Sequence, residues 1–120
     1  MLLKDVALVE PIRAGDDSEL RELLHPERDG VDLSYSLACA VVKPGHRTLR
    51  HRLDSTEAYY IVFGTATMHV GDESREVHAG HCVLIPSGEV QWIENTGRID
   101  LAFLCVVDPP WDEADESVLE

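Results

Sequence analysis

From Asp32 onward the chain alternates apolar and polar positions in short runs separated by turn residues. The runs that read as strands are Leu33–Val42, Thr48–Leu53, Glu57–Phe63, Thr65–Val70, Cys82–Ile85, Val90–Glu94 and Ile99–Val107. Pro44-Gly45, Gly64, Gly71-Asp72, Ala79-Gly80, Ser87-Gly88 and Asn95-Thr96-Gly97 punctuate them, as strand-to-strand turns require. In Ala66-Thr67-Met68-His69-Val70 the apolar side chains share one face and Thr67 and His69 the other. That period of two puts one face on a core. Many short strands at this spacing predict an all-β sandwich or barrel.

One segment reads as helix. Asp16, Asp17 and Ser18 are candidate N-caps, Leu20, Leu23 and Leu24 follow at helical spacing, and Pro26 stops the run. The expected organisation is an N-terminal segment over residues 1–30 packing on a barrel of residues 31–110, with an acidic tail over 111–120. The closing run DEADESVLE reads as a solvated tail.

The chain has 120 residues, enough for one modest core. No apolar run approaches the roughly 18 residues of a membrane span, and MLLKDVALVEP lacks a signal-peptide layout, so the cytoplasm is the expected location. Ten basic against twenty-three acidic residues give a net charge of −13, which argues against nucleic acid or an anionic membrane as partner. Cys39, Cys82 and Cys105 form no CxxC pair and lie among apolar residues, so they are expected to be buried and inert.

Two stretches carry more specific information. Gly45, His51, Glu57 and Gly64 match the pattern G(x)5HxH(x)3,4E(x)6G, and Gly80, Pro86, Gly88 and Asn95 match G(x)5PxG(x)2H(x)3N. These blocks resemble the two motifs of the cupin superfamily, and the resemblance extends from about Ser34 to Val107. It implies a double-stranded β-helix, a jelly-roll or cupin barrel, here with a short N-terminal helix. It also implies a divalent metal ion in the barrel, held in the family by three histidines and a glutamate. Two of those positions differ: the second histidine falls on Leu53 and the motif-two histidine on Gln91. His51, Glu57 and Gln91 then make up the candidate metal set, a mixed N/O site compatible with zinc, manganese, iron or nickel. His46, just after the motif glycine, is a reserve ligand.

The alternative for the same residues is that His51, Glu57 and Gln91 hydrogen-bond to one another in a polar pocket without metal. Three functions follow. A metal-dependent enzyme would polarise a small polar substrate at the ion, with Glu57 or Tyr59 as acid or base. A metal-free module would bind a sugar or carboxylate. A structural dimer would leave the interior unused, which the inward polar residues argue against. Outside the barrel, Trp92, Tyr60 and Val62 fall on outward phases, and an apolar patch there is expected to be covered by a second copy in a homodimer or by the chain's own ends. The remaining histidines, including His69, are expected at the surface or in caps.

Overall fold

The computed structural model describes residues 1–120. Its strands are β1 (Ile12–Arg13), β2 (Glu19–Leu24), β3 (Ser36–Val42), β4 (His51–Leu53), β5 (Thr56–Phe63), β6 (Thr65–Val70), β7 (Glu73–His78), β8 (Cys82–Ile85), β9 (Gln91–Asn95), β10 (Leu101–Asp108) and β11 (Glu116–Val118). They form two sheets, ordered β1-β2-β3-β10-β5-β8 and β11-β4-β9-β6-β7. Every pairing is antiparallel. The sheets face each other as a jelly roll; the strand pattern predicts a sandwich or barrel, and the jelly-roll form is the one the cupin resemblance implies.

The core lies between the sheets. Ile61, Phe103 and Ala40 from one sheet meet Ile93, Ala66 and Met68 from the other, all buried. Each sits on the inward phase of its strand, so period-two patterning and burial coincide. β10 is apolar almost throughout because it lies centrally, paired to β3 on one side and β5 on the other. At Gly64 the backbone has φ +96°, and a Cβ there would stand 2.9 Å from Leu101 Cα. That close approach of the β5–β6 turn to the start of β10 explains the motif glycine.

Three expectations are corrected. The leucine segment is not a helix: Glu19–Leu24 is β2, paired to β3. A register shift between Glu22 and Leu24 changes the side-chain phase, so a bulged strand reproduces apolar spacings of three and four. Pro26 does not stop a helix but begins one, the single turn α1 (Pro26–Asp29), which His25 caps by accepting from the Glu27 amide. Proline suits that first position because its missing N–H would have no helical partner there. The acidic C-terminus is not a free tail either. β11 pairs with β4 in the register Glu116↔Leu53, Ser117↔Arg52 and Val118↔His51.

The outer surface also differs from expectation. Trp92 lies on the five-stranded sheet and Tyr60 and Val62 on the six-stranded one, so they point to opposite sides and form no common patch. His69 is not exposed: its ring stacks on Trp92 with centroids 4.2 Å apart. Cys82 is exposed rather than buried, Cys39 is intermediate, and only Cys105 is buried. No helix is long and apolar enough to cross a membrane.

Candidate functional site

Inside the barrel, His51 and Leu53 project inward from β4, Glu57 and Tyr59 from β5, and Gln91 from β9. Pairing of β4 with β9 sets His51 directly opposite Gln91. Three of these side chains form one chain of hydrogen bonds. The Tyr59 hydroxyl donates to Gln91 Oε1 at 2.9 Å, and Gln91 Nε2 donates to Glu57 Oε1 at 2.7 Å. Both ends of the Gln91 amide are thereby engaged, in the orientation that serves an ionised Glu57.

His51 is 2% exposed, and its Nδ1 lies 2.8 Å from Leu49 O. A carbonyl oxygen only accepts, so Nδ1 carries the hydrogen and a neutral ring presents a lone pair at Nε2. Nε2 has no hydrogen-bond partner. It faces Asp16 Oδ2 at 3.7 Å.

Asp16 comes from the β1–β2 hairpin turn. Its Oδ1 accepts from the Ser18 amide at 3.0 Å and the Ser18 hydroxyl at 2.6 Å, which aims Oδ2 inward. The hairpin is pinned by the Leu49 amide, which donates to Asp16 O at 2.7 Å. The Leu49 backbone therefore positions both members of the pair, its N–H holding Asp16 and its carbonyl holding His51. Glu116 enters from β11, in register with Leu53, and cross-strand partners share a face.

These groups line a cavity of about 50 Å³. Its polar lining includes Asp16, Glu22, His51, Glu57, Tyr59 and Glu116, and no Lys or Arg lines it. Ala14, Leu20, Glu22, Trp111 and Glu116 are shared with a wider open groove of about 930 Å³ between the two chain ends. The small chamber thus lies behind the groove, with Glu116 and Trp111 at the boundary. Gln91 and His46 are absent from the chamber's lining; His46 is exposed.

Burial raises the Glu57 carboxyl to about 7, against the opposing pull of the Gln91 hydrogen bond and His51, while Asp16 and Glu116 push it further up. Burial likewise raises Glu116 and lifts Tyr59 well above its ordinary value. Tyr59 therefore keeps its proton near neutrality.

Residues 39–107 match the family model of the cupin domain. The chain belongs to the cupin family. This cupin is 40% identical over 114 residues to an uncharacterised protein of Methanocaldococcus jannaschii, covering 93% of this chain and 90% of that one. An oxalate-binding protein of Thermotoga maritima is 37% identical over 65 residues, 53% of this chain and 54% of that one. The crystal structure described as a predicted oxalate decarboxylase of the same organism superposes with a TM-score of 0.79 at 27% identity, covering 90% of this chain and 99% of that one. The polyketide cyclase RemF of Streptomyces resistomycificus shares the fold, with a TM-score of 0.83 at 20% identity, covering 100% of this chain and 86% of that one.

The donor chemistry of this cupin suits the divalent metal ion that the family implies, because a buried imidazole nitrogen faces the Asp16 carboxylate in a chamber lined by further carboxylates. No three His, Cys, Asp or Glu side chains converge on a common point. The polar groups stand instead in pairs, His51 with Asp16 and Gln91 with Glu57. Asp16 and Glu116, two chamber carboxylates that sequence reading missed, come from opposite ends of the chain. Asp16 sits in a Gly-Asp-Asp-Ser turn with no ligand spacing, and the alternation of Glu116-Ser117-Val118 is the one hint of a strand.

Proposed function

We propose that this cupin binds a small polar molecule at the barrel mouth through a divalent transition metal ion, zinc, manganese, iron or nickel, held by His51 and Glu57, and acts as a metal-dependent enzyme. One observation carries the reading: the chamber is lined by carboxylates and an imidazole, with no Lys or Arg. An anion about 4 Å from a single carboxylate is opposed by about 4 kcal/mol at an effective dielectric of about 20. A bare dicarboxylate of the kind bound by the oxalate-binding relative is therefore disfavoured here, while a cation is favoured. Size points the same way. A water molecule occupies about 30 Å³ of liquid, so a chamber of about 50 Å³ suits an ion with a water or two, and an organic ligand belongs in the groove outside.

The ion would supply polarisation of a substrate carbonyl or carboxylate, or acidification of bound water. In this reading Gln91 is a holder for Glu57 rather than a ligand. Glu57 is the acid or base able to exchange a proton near neutrality when it is not engaged. Tyr59 anchors Gln91.

A thermal-shift screen of untagged protein tests the reading. Manganese, iron, nickel or zinc should raise the melting temperature, and oxalate or a related dicarboxylate should raise it further only when metal is present. A metal-free sugar or carboxylate module is the second reading, motivated by the closed Tyr59–Gln91–Glu57 chain. Stabilisation by an organic ligand that persists in excess chelator would establish it and overturn the first.

We infer also that the outer face of the six-stranded sheet pairs two copies. Tyr60 (49% exposed) and Leu84 (67% exposed) lie there with Val62 and Val106, uncovered by either chain end. Light scattering should report a homodimer that Leu84→Glu dissociates; a monomeric wild-type protein would refute this.

A further inference from the structure

The two family positions that lack a histidine here, Leu53 and Gln91, leave an ion on His51 and Glu57 short of ligands. Leu53 carries no donor, and both amide ends of Gln91 are bonded to neighbours. Yet the chamber contains further carboxylates at the place where the chain ends close over it.

We propose that Asp16 and Glu116, delivered by the two ends of the chain, complete a divalent-cation site on His51 in place of the ligands lost at Leu53 and Gln91. The proposal rests on the metal-binding reading above and names the residues that would make it work.

Three independent features support it. The first is the His51–Asp16 pair. His51 is buried, its Nδ1 hydrogen is committed to Leu49 O, and Nε2 has no hydrogen-bond partner. Asp16 Oδ2 faces that lone pair at 3.7 Å, with Oδ1 held by Ser18. No hydrogen bond joins these two atoms. Two ligands about 2.1 Å from a tetrahedral ion stand about 3.4 Å apart, so a cation enters this gap with a small adjustment.

The second is register. Glu116 is paired directly with Leu53, so a carboxylate is supplied on the same face as the position where the family has its second histidine. The third is the space left at Gly15. A Cβ on Gly15 would collide with the Glu116 carboxylate. The absence of a side chain there is what lets Glu116 lie beside the turn that carries Asp16.

Calorimetric titration of untagged, chelator-stripped protein with Mn²⁺, Zn²⁺, Fe²⁺ and Ni²⁺ tests the proposal, with circular dichroism confirming the fold of each variant. Asp16→Asn and Glu116→Gln preserve shape and hydrogen-bonding capacity. Each should weaken binding at least about tenfold, the loss that removal of even an outer partner of a metal site causes. Gly15→Ala should weaken it too, by displacing Glu116 without removing any donor. Glu89→Gln, outside the chamber, should bind like wild type. Wild-type binding that is lost in Glu57→Gln but unchanged in Asp16→Asn and Glu116→Gln would overturn this inference and leave the metal reading standing. Failure of the wild type to bind Mn²⁺, Zn²⁺, Fe²⁺ or Ni²⁺ would overturn both.

Discussion

Gln91 Nε2 donates to Glu57 Oε1 at 2.7 Å in the barrel interior, and this bond is what makes a buried carboxylate tolerable there. Removing it leaves two groups without partners, Glu57 and the Tyr59 hydroxyl. An unsatisfied buried polar group costs about 1–3 kcal/mol. Gln91→Leu should therefore destabilise the protein by about 2–6 kcal/mol in urea unfolding, although leucine suits the apolar neighbours. The variant should also raise the Glu57 pKa further, since the Gln91 bond holds it down. Carboxyl-detected NMR titration would show this as a midpoint displaced upward.

The same carboxyl makes stability depend on pH in a defined direction. Its pKa stands at about 7 against an ordinary 4.5, so the folded chain holds this proton more tightly than the unfolded one. The contribution is fully present below about pH 4.5 and is lost as pH rises through about 7. It amounts to a few kcal/mol in order of magnitude. Metal-free protein should lose melting temperature across that interval, and Glu57→Gln should flatten the profile. Glu116, raised in the same direction, contributes the residual slope. Metal affinity should run the opposite way and grow with pH, since a ligand carboxyl must ionise.

Leu53→His restores a histidine two positions from His51 on the same strand face. The variant should bind Zn²⁺ on the order of tenfold more tightly than wild type. Glu116→Gln made in that background should then lose much less affinity than it does alone, because the added imidazole takes over at the position Glu116 faces. Equal losses in both backgrounds would show that Glu116 and residue 53 serve separate roles.

How far the sequence discloses this molecule follows from where each residue lies. Inward phases of His51, Glu57, Tyr59 and Gln91 are legible because period-two alternation fixes side-chain direction within a strand. What alternation cannot show is which partner a side chain meets. The Gln91 amide is spent on Tyr59 and Glu57, and nothing local to Gln91 reveals that. Residues brought in by long-range pairing are the least legible. Asp16 reaches the chamber because its turn is pinned by the Leu49 amide, and Glu116 because β11 adds to the edge of β4. Each depends on a contact with a distant segment. The leucines of β2 mislead for a similar reason: the partner strand, and the bulge it permits, override local helical spacing.

Phe103 ties core packing to the site. It is essentially fully buried, and its ring lies 4.5 Å from that of Tyr59. Phe103→Ala should cost about 3–5 kcal/mol, the usual range for deleting a buried aromatic. Because the ring backs Tyr59, the cavity should also loosen the Tyr59–Gln91 bond, and the Glu57 midpoint should move along with stability. Phe103→Leu should recover much of the stability and restore that midpoint.

The C-terminal strand is held by a clamp at its far end. Glu120 accepts from Arg47 Nη1 at 2.8 Å and Nη2 at 2.5 Å and from the Arg50 amide at 2.6 Å. These hydrogen bonds depress the Glu120 carboxyl to about 2. For a depressed carboxyl the contribution is present above the ordinary value near 4.5 and is lost as pH falls toward about 2, so the clamp is intact at neutral pH. The pairing is solvent-exposed, and exposed ion pairs add little to global stability. Its effect should be local. In Arg47→Gln, hydrogen exchange should accelerate at the Leu119 amide, which donates to Arg50 O at 2.9 Å, and at the Asp54 amide, which donates to Asp115 O at 3.2 Å. The thermal midpoint should scarcely move. Since Glu116 rides on the same strand, metal affinity should fall in this variant even though Arg47 does not line the chamber. Faster exchange with unchanged affinity would show that Glu116 keeps its place without the clamp; unchanged exchange would show that pairing with β4 alone holds the strand.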